Sequence, residues 1–226
     1  VGITVNAICP GYIATDMVKA IDPAVVEKNI LPHIPTGRLG EPDEIARVSD
    51  MHPNPKNGFF KIAADDATPL GRAFRSAPKM GYFQNCREIR ELEVASFGGH
   101  GSARAMARIY AMLAGNGEIG GVRLLSLQAV ERASQLVWED DCIMTQRRIR
   151  MGYGFMHNEP NTVPMGVNMS AFGHTGTGGA FAWCDRERNM SFAYCTNFQR
   201  EGPGIGPRGA ALGVAAGGGQ APSWLT

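Results

Sequence analysis

The segment Phe172-Gly173-His174-Thr175-Gly176-Thr177-Gly178-Gly179 decides how the chain is read. It sits in a region, opening at Met151, of short apolar β segments separated by glycines. Glycine inside a strand pattern marks a bulge or a close approach by another backbone or a ligand. Just beyond it, Phe181-Ala182-Trp183 and Ser191-Phe192-Ala193-Tyr194-Cys195 flank the polar run Asp185-Arg186-Glu187-Arg188-Asn189, the pattern of a hairpin. Phe181, Trp183, Phe192 and Tyr194 recur at period two and predict one core-facing side. The same hairpin sets Cys184 opposite Cys195, although a reducing compartment argues against a disulfide.

Upstream the period changes to helical. Ala103, Met106, Ala107, Ile109, Tyr110 and Leu113 share one predicted helical face that begins after Ser102 and ends at Gly115 to Gly117. Ser126 is a predicted cap for a second helix carrying Leu127, Val130 and Leu136. Residues 1–7 alternate as a strand does (Val1, Ile3, Val5), and Cys9-Pro10-Gly11 stops it. Asp22-Pro23 predicts a helix start, with apolar residues recurring to Ile30, and Glu41-Pro42-Asp43-Glu44 predicts another running through Val48.

The run Ser49-Asp50-Met51-His52-Pro53-Asn54-Pro55-Lys56-Asn57-Gly58 is turn and breaker chemistry, which a helix cannot cross, and is read as a boundary. From there to about Cys86 the periodicity is weak. The Gly-, Ala- and Pro-rich stretch 202–226 has little to bury and is predicted to be a poorly ordered tail.

Composition narrows the classes. The 226 residues are 44% hydrophobic and 19% charged, with 22 basic against 21 acidic side chains, which allows one large or two small domains with a sizeable core. So even a balance argues against nucleic-acid binding, which needs clustered positive charge. No apolar run approaches a membrane span and no leader-like segment opens the chain, which begins on Val1 within an apolar run. Cys9, Cys86, Cys142, Cys184 and Cys195 form no C-x-x-C pair, excluding a zinc ribbon and arguing against a disulfide framework. His33, His52 and His157 have no carboxylate or thiolate at ligand spacing, so no metal site is expected. The expectation is a cytoplasmic protein.

Two resemblances follow from these residues. Gly2-Ile3-Thr4-Val5-Asn6-Ala7-Ile8-Cys9-Pro10-Gly11-Tyr12-Ile13-Ala14-Thr15-Asp16-Met17 and Gly37-Arg38-Leu39-Gly40-Glu41-Pro42-Asp43-Glu44-Ile45-Ala46 resemble the short-chain dehydrogenase/reductase family, in its acetoacetyl-CoA reductase branch. The resemblance implies that Pro10, Gly11, Ile13 and Thr15 fall where that family holds its nicotinamide cofactor, NADPH. It implies that Tyr12 falls where an acyl substrate is contacted. Gly11 lets backbone approach a flat ring and Pro10 fixes the turn. The rest of that machinery is not in the sequence: no Tyr is followed four residues later by Lys. The literal G-x-G-x-x-G at Gly115, Gly117 and Gly120 follows a helix, whereas a pyrophosphate turn follows a strand.

The second resemblance runs over about residues 51–200, to the C-terminal part of the β-lactamase-related serine hydrolases, in particular esterases similar to class C β-lactamases. It is carried by Gly99-His100-Gly101-Ser102-Ala103-Arg104-Ala105-Met106-Ala107-Arg108-Ile109-Tyr110, by Gly121-Val122-Arg123-Leu124-Leu125-Ser126, by Met151-Gly152-Tyr153-Gly154-Phe155, and by the opening segment from Phe172 to Gly179. His174-Thr175-Gly176 matches that family's third box, usually Lys-Thr-Gly, on an edge strand lining the active site. The resemblance implies that Gly176 keeps the strand bare for substrate and that the Thr177 amide completes an oxyanion hole. His174, replacing lysine, still hydrogen-bonds but carries less charge near neutrality. The nucleophile box, Ser-x-x-Lys at a helix start, has one literal match, Ser76-Ala77-Pro78-Lys79, with proline inside the required turn and out of the family's order; no Tyr precedes Asn by two.

The fold expected is α+β, the C-terminal portion of a β-lactamase/transpeptidase-like fold with an antiparallel sheet around residues 150–197, preceded by a short Rossmann-type strand-helix piece. The expected segments are 1–48, a reductase C-terminal fragment; 49–58, a junction; 59–200, a serine-hydrolase portion; and 201–226, a Gly-rich tail. Three functional readings stay open: an esterase-like serine hydrolase fragment lacking its nucleophile, acting on a small ester or acyl substrate with no cofactor; an NADPH-dependent 3-oxoacyl reductase fragment; and a non-catalytic fusion.

Overall fold

The computed structural model describes residues 21–31, 38, 50–54, 56, 58–75, 85–86, 90, 99–199 and 204–219. The strand predicted over 1–7 and the helix predicted from Glu41 lie outside them. The chain divides into two compact units, 1–51 with 80–102, and 52–79 with 103–226.

In the first unit, helix α1 (Pro23–Val25) starts where Asp22-Pro23 predicts. The Asp22 side chain accepts from the Ala24 amide at 2.9 Å, satisfying a donor that the first turn leaves orphaned. The helix continues as a single π-helical stretch, Val26–Ile30. Asn85 clasps the backbone of Met51 in both directions, accepting from its amide and donating to its carbonyl, each at 2.9 Å.

The second unit opens with α2 (Gly58–Ala63) and α3 (Pro69–Phe74), where the sequence shows little periodicity. Thr68-Pro69 is a start signal here: Thr68 Oγ1 accepts from the Gly71 amide at 2.9 Å and Pro69 fills the first helical position. Helix α4 (Ala103–Ala114) buries Tyr110, Leu113 and Ala114. Ile109, expected on that face, is instead half exposed, because one residue of helix rotates it a hundred degrees away from Tyr110.

The end of α4 explains the glycine run. The Asn116 amide donates to Leu113 O at 3.2 Å and the Gly117 amide to Met112 O at 2.8 Å, a Schellman closure. Strands β1 (Glu118–Ile119) and β2 (Val122–Arg123) then pair through Gly120-Gly121, whose positive φ angles of 58° and 79° suit a type I′ turn. Helix α5 (Leu127–Ala133) is capped by Ser126 Oγ, which accepts from Ala129 at 3.1 Å. Leu136, expected on this helix, begins a strand instead.

Six antiparallel strands form the main sheet in the order of the chain: β3 (Leu136–Cys142), β4 (Arg147–Gly152), β5 (Met156–His157), β6 (Phe172–Thr175), β7 (Phe181–Asp185) and β8 (Met190–Tyr194). The architecture is α+β, as expected, but the sheet begins at Leu136 rather than near residue 150. Every position of β7 is buried. Ala182 and Cys184 join Phe172 and α4 on one side, with Tyr110, Leu113 and Val130. Phe181 and Trp183 join Val163, Met165 and Ile205 on the other, with Phe192 and Tyr194 packed alongside. The period-two aromatics therefore face one core, as predicted.

Over residues 206–216 the reading of a poorly ordered tail is corrected. Helix α6 (Gly206–Ala216) packs on that second core. A Cβ on Gly213 would stand 3.1 Å from the Phe181 ring, and one on Gly209 likewise. The composition that looked too poor to bury anything is what lets a helix backbone lie directly on large rings. Arg188, in the β7–β8 turn, donates to the Gly217 carbonyl at the helix end, where a cation suits the dipole.

The hairpin register also corrects the cysteine expectation: Cys184 pairs with Ser191, not Cys195, and neither thiol is in a disulfide. Burial pushes the Cys184 thiol to about 12. At pH 8 alkylation is expected to label exposed Cys86 and spare Cys184 until the protein unfolds, read by peptide mass spectrometry.

Two glycines of the opening segment differ sharply. A Cβ on Gly173 would meet Ala182 O at 2.1 Å and Trp183 Cα at 2.6 Å, whereas one on Gly176 meets only Ala180 O at 3.4 Å. Gly173→Ala is expected to destabilise by about 3 kcal/mol or more by overpacking, and Gly176→Ala by under about 1 kcal/mol, measured by denaturant unfolding.

Candidate functional site

The His174-Thr175-Gly176-Thr177 segment ends β6 and enters the turn to β7. Thr175 pairs with Phe181, and the Gly176 amide donates to Ala180 O at 2.7 Å, so the turn is held at its base. Gly179 closes it with a bond to Gly176 O at 3.0 Å. The strand is not an edge along its length. Its first half pairs with β5, through Phe172 and Gly173, and β5 stops there. Only the half carrying His174 and Thr175 lacks a ladder partner on that side among the described residues, so the bare stretch is the box itself.

His174 is exposed, with Nδ1 2.9 Å from Thr175 O. The half-buried Thr175 hydroxyl donates to the Met156 sulfur at 3.5 Å. Gly176 and Thr177 are exposed. The four residues expected to act together are therefore contiguous at one strand end and turn, with Thr175 half-buried between exposed His174 and Gly176.

Thr175, Gly176 and Thr177 line a cavity of about 140 Å³ whose other walls include Ile62, Leu70 and Met156. Arg147 and Thr145 also line it, and sequence reading did not single them out. The Arg147 Nε and Thr145 Oγ1 are buried without hydrogen-bond partners, while Arg147 Nη1 donates to Thr162 O at 3.3 Å. Burial holds the Arg147 guanidinium below its ordinary value. The alternation of β4 carried the available signal: Arg147 and buried Ile149 share a face, so an arginine was bound to point inward.

Several predicted site residues lie outside the described residues: Pro10, Gly11, Tyr12, Ile13 and Thr15, and the Ser76-Ala77-Pro78-Lys79 match. The glycines that could be tested against a dinucleotide do not fit one. The amides of Gly115 and Gly117 are spent inside the end of α4, and Gly120-Gly121 form a hairpin turn between two strands, whereas a pyrophosphate turn joins a strand to a helix. No group of three or more His, Cys, Asp or Glu side chains among the described residues is placed to hold a metal. No helix among them is long and apolar enough to cross a membrane.

His157 is nearly absent from the surface, at 3% exposed. Burial first, then Arg150, hold its imidazole below the ordinary value of 6.5, against a smaller opposing contribution from the Gln135 carbonyl.

Comparison with known proteins divides the chain. Residues 38–216 match the β-lactamase family model, and residues 1–51 match that of enoyl-(acyl carrier protein) reductase. The acetoacetyl-CoA reductase of Shinella zoogloeoides is 60% identical over 59 residues, which are 26% of this chain and 24% of the relative. The esterase/β-lactamase LipL of Mycobacterium tuberculosis is 34% identical over 112 residues, covering 48% of this chain and 24% of that protein. A penicillin-binding protein homologue from Caulobacter crescentus superposes with a TM-score of 0.65 at 27% identity, over 85% of this chain and 51% of its own. The chain thus spans about a quarter of the curated relatives it matches.

Because the folded imidazole binds its proton more weakly than the unfolded one, acid favours unfolding. The stabilisation is present above pH 6.5 and is lost as pH falls through that value towards the depressed folded one. The unfolding free energy from urea titrations between pH 8 and 5.5 is expected to fall by up to about 1 kcal/mol per pH unit, and His157→Gln to flatten that slope.

Proposed function

Since the chain belongs to the β-lactamase family over residues 38–216, we propose that its second unit is the substrate-side wall of an esterase-like serine hydrolase. In this reading a small ester lies along the bare end of β6. Gly176 leaves room for its acyl chain beside the strand. The Thr177 amide donates to the carbonyl oxygen as negative charge builds on it, which is where a preorganised donor lowers a barrier most. Exposed His174 supplies a hydrogen bond at the edge of the site.

The observation that carries this is the contrast between the two box-strand glycines. Strand pairing itself demands glycine at 173, where a side chain would strike backbone at 2.1 Å, but not at 176, where 3.4 Å is open. A bare position the fold does not need, at a strand end with no ladder partner on one side among the described residues and beside a cavity, fits a role towards a ligand.

The only Ser-x-x-Lys in these 226 residues is at Ser76, with Pro78 in the turn where a helix would have to present both side chains. We place segment 59–200, together with α6, as the hydrolase portion, 49–58 as a junction, and 1–48 as a reductase fragment, and read these residues as binding an acyl group without turning it over. The identity to acetoacetyl-CoA reductase over the first segment supports the alternative of an NADPH-dependent reductase piece. The described glycines give that reading no phosphate site.

A fluorophosphonate probe separates the outcomes: no covalent labelling is expected, and an adduct on Ser76 mapped by mass spectrometry would establish a nucleophile and overturn the incompleteness. In ¹⁵N-correlated spectra, p-nitrophenyl butyrate is expected to shift the Gly176 and Thr177 amides in the wild type and not in Gly176→Val. Shifts surviving that substitution count against the wall. Fluorescence enhancement of NADPH on mixing would favour the reductase reading instead.

A further inference from the structure

A larger cavity, of about 670 Å³, opens at the other end of β6 and β7, away from Thr175 and Phe181. Its walls combine two guanidiniums, Arg150 and Arg186, with Leu136 and Met169, which are 37% and 47% exposed. His157 lines it, almost wholly buried, with its ring against the Gln135 carbonyl.

The arginines are not equivalent. Arg150 has a carboxylate partner in Glu139, which it shares with Arg148, with Nε 3.0 Å from Oε2, and its Nη1 donates to the Asn158 and Met169 carbonyls. Arg186 meets only neutral acceptors: Nε and Nη2 both donate to Asn116 Oδ1, at 3.0 and 2.7 Å, and Nη1 donates to Ser134 Oγ at 3.3 Å. No carboxylate among the described residues stands within ion-pair distance of it. Two parallel N–H groups are thus held in the fork that matches a carboxylate, with a single amide oxygen occupying it. Glu187, also on the wall and bonded to the Ser170 hydroxyl, brings one negative charge, which disfavours a dianion such as phosphate more than a singly charged ligand.

We propose that this cavity binds a small apolar carboxylic acid as its anion, the carboxylate against Arg186 and the hydrocarbon along Leu136 and Met169. The site is separate from the box and does not depend on the ester reading.

Benzoate, with benzamide as its uncharged counterpart, tests this by calorimetric titration of the full chain. Benzoate is expected to bind and to shift the imidazole protons of His157, and benzamide to do neither. Arg186→Gln is expected to weaken benzoate roughly tenfold or more. Arg148→Gln, which removes an exposed guanidinium outside the cavity, is expected to leave it unchanged. Asn116→Gly keeps the left-handed backbone of that position, φ 56°, while freeing the fork, and is expected to tighten binding. Circular dichroism checks each fold, and if Arg186→Gln does not fold, Asn116→Gly decides. No heat with millimolar benzoate, equal binding of benzamide, or indifference to both Arg186→Gln and Asn116→Gly would overturn the assignment.

Discussion

The backbones of β6 and β7 approach so closely at Gly173 that a methyl group there would lie 2.1 Å from the Ala182 carbonyl. That approach sets the register in which Gly173 faces Trp183. It also fixes how β7 is inserted: Phe181 and Trp183 go to one core and Ala182 and Cys184 to the other, so a short strand serves two hydrophobic clusters at once. Each cluster then needs a cover. Helix α4 supplies one with Tyr110 and Leu113, and α6 supplies the other by laying glycines on the Phe181 ring. The bare end of β6 exists because β5 pairs with Phe172 and Gly173 and goes no further.

The two ends of this strand pair have different characters. At one end, a turn pinned by the Gly176 and Gly179 amides presents an exposed histidine and an accessible Thr177 over a small cavity with Arg147 behind it. At the other, Arg186 is held rigid by Asn116, which is itself the closing residue of α4. The glycine run after α4 therefore does electrostatic as well as conformational duty. It ends the helix, turns the chain into a hairpin, and sets the amide that orients a guanidinium across the sheet.

Much of this was legible from residues. Asp22-Pro23 and Ser126 mark helix starts because a side-chain oxygen satisfies an orphan amide whatever surrounds it. Period-two aromatics mark the face of a hairpin because pleating allows nothing else. The contiguity of His174, Thr175, Gly176 and Thr177 was available from the chain alone. Less was legible where tertiary packing outvotes local preference. Ile109 reads as core by composition, yet its angle on α4 leaves it exposed. Leu136 reads as a continuation of α5, yet it pairs with Gly152 in the sheet.

From sequence alone come the resemblance to a β-lactamase-type hydrolase, the α+β class, the caps, the glycine-lined box and the weakness of its Ser76 match, since each rests on residue identity at short range. The three-dimensional arrangement decided which glycine the fold needs and which it leaves free, that Cys184 meets Ser191, that Arg147 and Arg186 line separate cavities, and that a stretch of glycine and alanine becomes a packed helix. Those outcomes depend on distances between segments far apart in the chain. A glycine's value, in particular, depends on what comes near the place where its side chain would be.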